Sequence, residues 1–186
     1  MPKSICYRGV METKTMAKGF TLIELLITIA LMAIILAFAG PGFQELIQRN
    51  QVRSITDEFF TGFNMARSEA IKRNTQVTIC ASSTGASCDA ANWDSGWAMF
   101  VDENGDGDVN GAEPVVQTGS QLPGGYTLRG TASVANSITL NPDGSVRGIA
   151  GSFRVCSPEA DVTKSRAIKF LQGGRPRMEE GTDQCP

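Results

Sequence analysis

Phe20-Thr-Leu-Ile-Glu-Leu-Leu-Ile-Thr-Ile-Ala-Leu-Met-Ala-Ile-Ile-Leu-Ala-Phe-Ala39 is the stretch on which the reading of this chain turns. As a helix of about 20 residues it reaches about 30 Å, enough to cross the apolar core of a bilayer. Its one ionisable residue is Glu24. A secretory signal peptide has a shorter apolar region followed by a small-residue cleavage site; here the candidate cut, after Lys18-Gly19 and before Phe20, precedes the apolar run, so the helix is expected to stay in the mature protein. The leader Met1 to Gly19 carries Lys3, Arg8, Lys14 and Lys18 against Glu12 alone. Its positive charge keeps it cytoplasmic and places the rest of the chain on the far side of the inner membrane, in the periplasm. Met11 and Met16 are alternative starts to Met1, and Met16-Ala17-Lys18-Gly19 would make a very short leader. A carboxylate inside such a run costs on the order of several kcal/mol unless paired or protonated, which makes Glu24 a functional candidate. The bland reading is an acid close enough to the membrane surface to snorkel.

Working outward, Gly40-Pro41-Gly42 interrupts the apolar run, and a kink or local melting is expected there because proline removes a helix hydrogen bond. Beyond it Val52, Ile55, Phe59, Phe63, Ala66 and Ala70 recur at spacings of three and four with charged residues between them, which is one apolar helical face. After Arg73 the period changes to short β-prone runs: 76–81, 96–102, 114–117, 126–129, 137–141, 153–157 and 166–171. Turns such as Leu122-Pro-Gly-Gly and Asn141-Pro-Asp-Gly separate them. The expected class is α+β, a long N-terminal helix packed on a small antiparallel β-sheet head. The expected divisions are a leader over 1–19, a transmembrane segment over 20–41, the amphipathic half of the same helix over 42–73 and the head over 74–186.

Composition narrows the function. Removing the leader leaves 13 basic and 18 acidic residues, a charge of −5, so the whole field of the head does not attract polyanions and any such contact needs a local basic cluster. The chain has no histidine, the commonest general base and metal ligand, and no convergent nucleophile and base; neither an enzyme nor a cofactor is expected. Cys6 lies in the leader. Cys80, Cys88, Cys156 and Cys185 remain for an oxidising compartment, an even number with three pairings. Cys80 with Cys88, closing a short loop, and Cys156 with Cys185, tying down the tail, are favoured.

Gly19-Phe20-Thr21-Leu22-Ile23-Glu24-Leu25-Leu26 resembles the processing and assembly signature of type IV prepilins and type II secretion pseudopilins. The resemblance implies that a prepilin peptidase cuts after Gly19 and methylates the new amine of Phe20, and that Glu24 pairs with an N-terminal amine when the helix packs among other pilins or pseudopilins. Ala66 to Arg73, Val77 to Cys80, Gly96-Trp97 with Phe100-Val101-Asp102, and Asn141-Pro142-Asp143-Gly144 resemble the GspH/FimT/FimU group of minor pilins and pseudopilins. That implies a pilin-like head and a place in or near the tip of a pilus or pseudopilus fibre. A minor type IV pilin is the first reading, with a minor pseudopilin of a type II secretion system as the alternative.

Two stretches of the head have ligand-like spacing. Asp102, Asn104, Asp106, Asp108 and Glu113 follow the oxygen-ligand pattern of a calcium loop, with Gly107 at the turn. Strand-like flanks argue instead for an ordinary Asp/Asn/Gly hairpin. Lys164, Arg166, Lys169, Arg175 and Arg177 form a basic cluster with no acid between Lys164 and Arg177. Gly174-Arg175-Pro176-Arg177 resembles the Gly-Arg-x-Arg motif through which FimT-type minor pilins bind DNA during natural transformation. This implies a DNA contact through Arg175 and Arg177; with Lys169 from the same cluster they would hold double-stranded DNA without sequence preference, Gly173 and Gly174 letting the phosphates approach. A solvated basic edge that discourages strand addition explains the same residues.

Overall fold

The computed structural model describes residues 19–110, 113–181 and 184–185. The alternative starts and Cys6 lie outside the described residues. Helix α1 spans Leu22–Arg73, so the backbone stays helical through Gly40-Pro41-Gly42 where a kink or local melting is expected. The chain divides into two compact units, Met1–Gly42 and Phe43–Pro186.

In the first unit every described side chain from Phe20 to Ala37 is exposed, so no other described element packs over the apolar residues of this segment. Among the described residues no single helix is long and apolar enough to cross a membrane; Leu22–Ala37 reaches that length and composition only together with the helical segment that follows it.

The second unit is an α+β head. Its helical part buries Val52, Ile55, Phe59, Phe63, Ala66 and Ala70, the full stripe that the spacing of three and four predicts. The strands are β1 (Gln76–Ala81), β2 (Trp97–Asp102), β3 (Val115–Gly119), β4 (Thr127–Gly130), β5 (Ser137–Leu140), β6 (Gly151–Cys156), β7 (Arg166–Phe170) and β8 (Pro176–Glu180). They form two antiparallel four-stranded sheets, β3-β2-β1-β5 and β4-β6-β7-β8, where the sequence suggests one sheet. Period-two alternation points Val77, Ile79 and Met99 of the first sheet, and Phe153, Val155, Ile168 and Phe170 of the second, into the same core as the helix stripe.

Aromatic rings fill the junction. Phe59 sits edge-on to Trp93, Trp97 and Phe153 with centroids 5.4, 6.0 and 4.5 Å away. Trp93 is buried and donates its indole N–H to the Ala135 carbonyl at 2.7 Å, which removes the cost of burying that donor. The outer face of the first sheet is covered as well: Cys80, Ala98 and Phe100 pack with Cys88 and Val109, and the Cys80–Cys88 disulfide straps the loop down.

Candidate functional site

The residues expected at the processing site come first. Gly19 and Phe20 are exposed ahead of the first helical turn, where a protease reaches the backbone without unfolding a packed element. Thr21 and Glu24 form a reciprocal cap: the Thr21 backbone N–H donates to Glu24 Oε2 at 3.2 Å and the Glu24 N–H donates to Thr21 Oγ1 at 3.2 Å. The Thr21 hydroxyl also donates to Oε2 at 3.3 Å. The carboxylate therefore meets the free N–H groups and positive dipole end of α1, which offsets part of its desolvation. The sequence reading missed Thr21, although Thr-x-x-Glu before an apolar run is the capping-box spacing that would have found it.

The basic cluster lies around β7, β8 and the loop between them. Arg175 and Arg177 are exposed and have no carboxylate partner among the described residues. Lys169 stands opposite Arg177 in the β7–β8 register, but its Nζ is 2.7 Å from Glu179. Arg166 pairs with Glu180 at 2.7 Å, and Lys164 with Glu159 and Asp161 at 3.2 and 3.5 Å. The hydrogen bond and charge of Glu159 raise the Lys164 pKa above its ordinary value. The continuous basic run of the sequence is thus divided in space into a neutralised part and an open part at Arg175 and Arg177.

Gly174 has a different place from the one the motif suggests. It is buried at φ +67, and a Cβ there would lie 2.0 Å from the Gly144 carbonyl oxygen, so no phosphate approaches it. Arg67 Nε on α1 donates to that same carbonyl at 3.1 Å. The Asn141-Pro-Asp-Gly144 turn therefore fixes the loop that ends in Arg175, and Arg67 is a positioning residue absent from the motif. Gly173 is exposed with open space around it.

In the acidic loop most of the candidate side-chain oxygens accept hydrogen bonds from the protein itself. Asp102 is buried and accepts from Gly105 N at 2.7 Å, Gly107 N at 3.2 Å and the Thr78 hydroxyl at 2.7 Å. Asn104 Oδ1 accepts from Asp106 N at 3.0 Å. Asp106 accepts from Asp108 N and from the amides of Asn104 and Asn110, and the Asp108 N–H first among these holds its carboxyl below the ordinary value of 3.8. Glu113 accepts from Glu103 N at 3.0 Å and Asn110 N at 3.1 Å. Asp108 is exposed. Among the described residues, no group of three or more His, Cys, Asp or Glu is placed to hold a metal ion. The second disulfide joins Cys156 at the end of β6 to Cys185 in the tail.

A helix with an exposed apolar N-terminal segment and a disulfide-bonded head of two antiparallel sheets defines the pilin-like class. The family described as type II transport protein GspH matches residues 56–174, and the prokaryotic N-terminal methylation motif matches residues 14–40. The chain belongs to the GspH family, which holds the GspH/FimT/FimU minor pilins and pseudopilins. In shape it is similar to the type IV minor pilin FimU of Pseudomonas aeruginosa, with TM-score 0.61 and 19% identity over 75% of this chain and 98% of that one. In sequence it is similar to the type IV major fimbrial protein FimA of Dichelobacter nodosus, 47% identical over 24% of this chain and 29% of that protein. It is also similar to the type IV major alpha-pilin of Moraxella bovis, 37% identical over 36% of this chain and 42% of that protein. The chain spans less than half the length of these two curated relatives.

Proposed function

We propose that this protein is a non-enzymatic minor type IV pilin that enters the fibre at or near its tip. In this reading a prepilin peptidase removes residues 1–19 and methylates the amine of Phe20. Residues 20–41 then hold the protein in the inner membrane with the head, 74–186, in the periplasm, and residues 42–73 join the two. During assembly Glu24 exchanges part of its Thr21 cap for an N-terminal amine, so that two charges buried among packed helices offset each other. One observation carries this reading: an apolar helix that is exposed from Phe20 to Ala37 and holds a single carboxylate, Glu24, inside its first turn. Such a surface needs lipid or other helices around it. The test is deletion of the gene in its host, with surface fibres and secreted proteins measured together. Loss of fibres with normal secretion supports the pilus reading, and normal fibres with failed secretion refutes it.

The second reading keeps the architecture and assigns it to a type II secretion pseudopilus; the family description favours it, and the same deletion separates the two. For the head itself, Arg175 and Arg177, exposed and without a carboxylate partner among the described residues, favour contact with the phosphates of double-stranded DNA. Arginine presents two parallel donors to a phosphate, so binding is expected to be salt-sensitive and indifferent to sequence. Arg175→Ala/Arg177→Ala is expected to abolish it.

A further inference from the structure

Residues directly opposed on neighbouring strands share a face of the sheet. In the second sheet Arg129 lies opposite Arg154, Ser152 opposite Lys169, Lys169 opposite Arg177, and Ala167 opposite both Arg154 and Glu179. Phe153, Val155, Ile168 and Phe170 occupy the inward face. The outward face therefore carries two like-charge cross-strand pairs, Arg129 with Arg154 and Lys169 with Arg177. Like charges in that position destabilise a sheet, and a local rule broken without a packing gain is characteristic of a ligand site. Two of the four cations have an internal counter-ion: Arg129 meets Asp94, and Lys169 meets Glu179. Arg177 and Arg154 have no carboxylate partner among the described residues; Arg154 is half-buried and donates to Gln184 Oε1 in the tethered tail at 3.2 Å.

The surface between these side chains is concave. One groove is lined by Arg154, Lys169, Glu179 and Glu180 among others, with Glu180 paired to Arg166, and a second by Lys169, Arg175, Arg177 and Glu179 with Phe170 and Leu171 as its apolar wall. Lys169 and Glu179 belong to both and so lie where the grooves join. From β8 to β6 is two strand spacings, about 10 Å, the axial length of roughly three phosphates on one strand of a duplex.

We infer that the two grooves form one phosphate track, running from Arg175 and Arg177 through Lys169 to Arg154, and that Glu179 is its internal competitor, holding Lys169 until a phosphate replaces the carboxylate. This rests on the DNA reading above and adds to it one contact, Arg154, and one inhibitory residue, Glu179.

The experiment uses the full-length protein in neutral detergent with a short mixed-sequence DNA duplex, measured across a salt series. Each phosphate contact contributes about 0.9 to the slope of log affinity against log salt. Glu179→Gln is expected to bind more tightly and with a steeper slope than the parent, by about 0.9. Arg154→Ala is expected to bind more weakly with a slope shallower by about the same amount. A loss of folded protein lowers the active fraction and leaves the slope unchanged, so the slope separates contact from misfolding. Binding that Arg175→Ala/Arg177→Ala removes, with parental affinity and slope in both Glu179→Gln and Arg154→Ala, overturns the track and spares the arginine motif. No parental binding at the lowest salt overturns the DNA reading and the track with it.

Discussion

Gly174→Ala tests whether the first glycine of the Gly-Arg-Pro-Arg motif is there for the fold. Its φ of +67 is a conformation in which an alanine costs roughly 1–2 kcal/mol. The new methyl would also stand 2.0 Å from the Gly144 carbonyl oxygen, a backbone atom held by Arg67, so the turn has to shift. Overpacking of that kind costs about 1–3 kcal/mol more. The sum is a loss of about 2–5 kcal/mol, or a fall in melting temperature of about 4–20 °C for a domain of this size. The assay is thermal unfolding of the compact unit from Phe43 to Pro186, disulfides intact, followed by circular dichroism. Gly173→Ala, at an exposed position with open space, is the control and is expected to melt within about 1–2 °C of the parent. If Gly174→Ala melts where the control does, the packing against Gly144 is not what that glycine serves.

Phe59→Ala removes a ring that touches three others at the junction of helix and sheets and should cost about 3–5 kcal/mol in urea unfolding. Phe43→Ala, at an exposed position, should stay within about 0.5 kcal/mol of the parent. Serine at Cys156 and Cys185 opens the longer disulfide loop, a separation of 29 residues against 8 for Cys80–Cys88. Chain entropy then predicts a loss of about 3.6 kcal/mol, against about 2.6 for the shorter loop, in denaturation of the paired variants. The hydroxyls of Ser83, Ser145 and Thr163 hold the carboxyls of Asp89, Asp143 and Asp161 below their ordinary value of 3.8. A depressed carboxyl stabilises the fold above its unfolded pKa and loses that contribution as pH falls through the folded value. The melting temperature should thus be flat above about pH 5 and fall below about pH 4. A fall that begins at neutral pH would contradict this assignment.

The apolar stripe from Val52 to Ala70 could be read from the sequence because a 3.6-residue period is a local property of one helix. The strands from Gln76 to Phe170 could be found for the same reason, each being a short β-prone run between turn residues. Strand β8 could not, since Pro176-Arg-Met-Glu-Glu180 opens on a proline and is mostly charged; it is an edge strand, where both features are tolerated. The division into two sheets depends on β5 joining β1 and β4 joining β6, pairings between distant segments that no local pattern records. At the basic site, Lys169, Arg175 and Arg177 were legible as residues. That Glu179 meets Lys169, that Arg154 shares their face and that Gly174 is buried depend on strand register and on contact with the Gly144 turn.

The most direct test of the account is the incorporation of Glu24→Ala into fibres sheared from cells lacking the wild-type copy, measured against the parent with the membrane pool of each variant as reference. The account predicts that the variant is cleaved, accumulates in the inner membrane and is absent from the fibres, because an amine buried without its carboxylate is not offset. Incorporation at the parental level would contradict the role assigned to Glu24 and the assembly mechanism built on it.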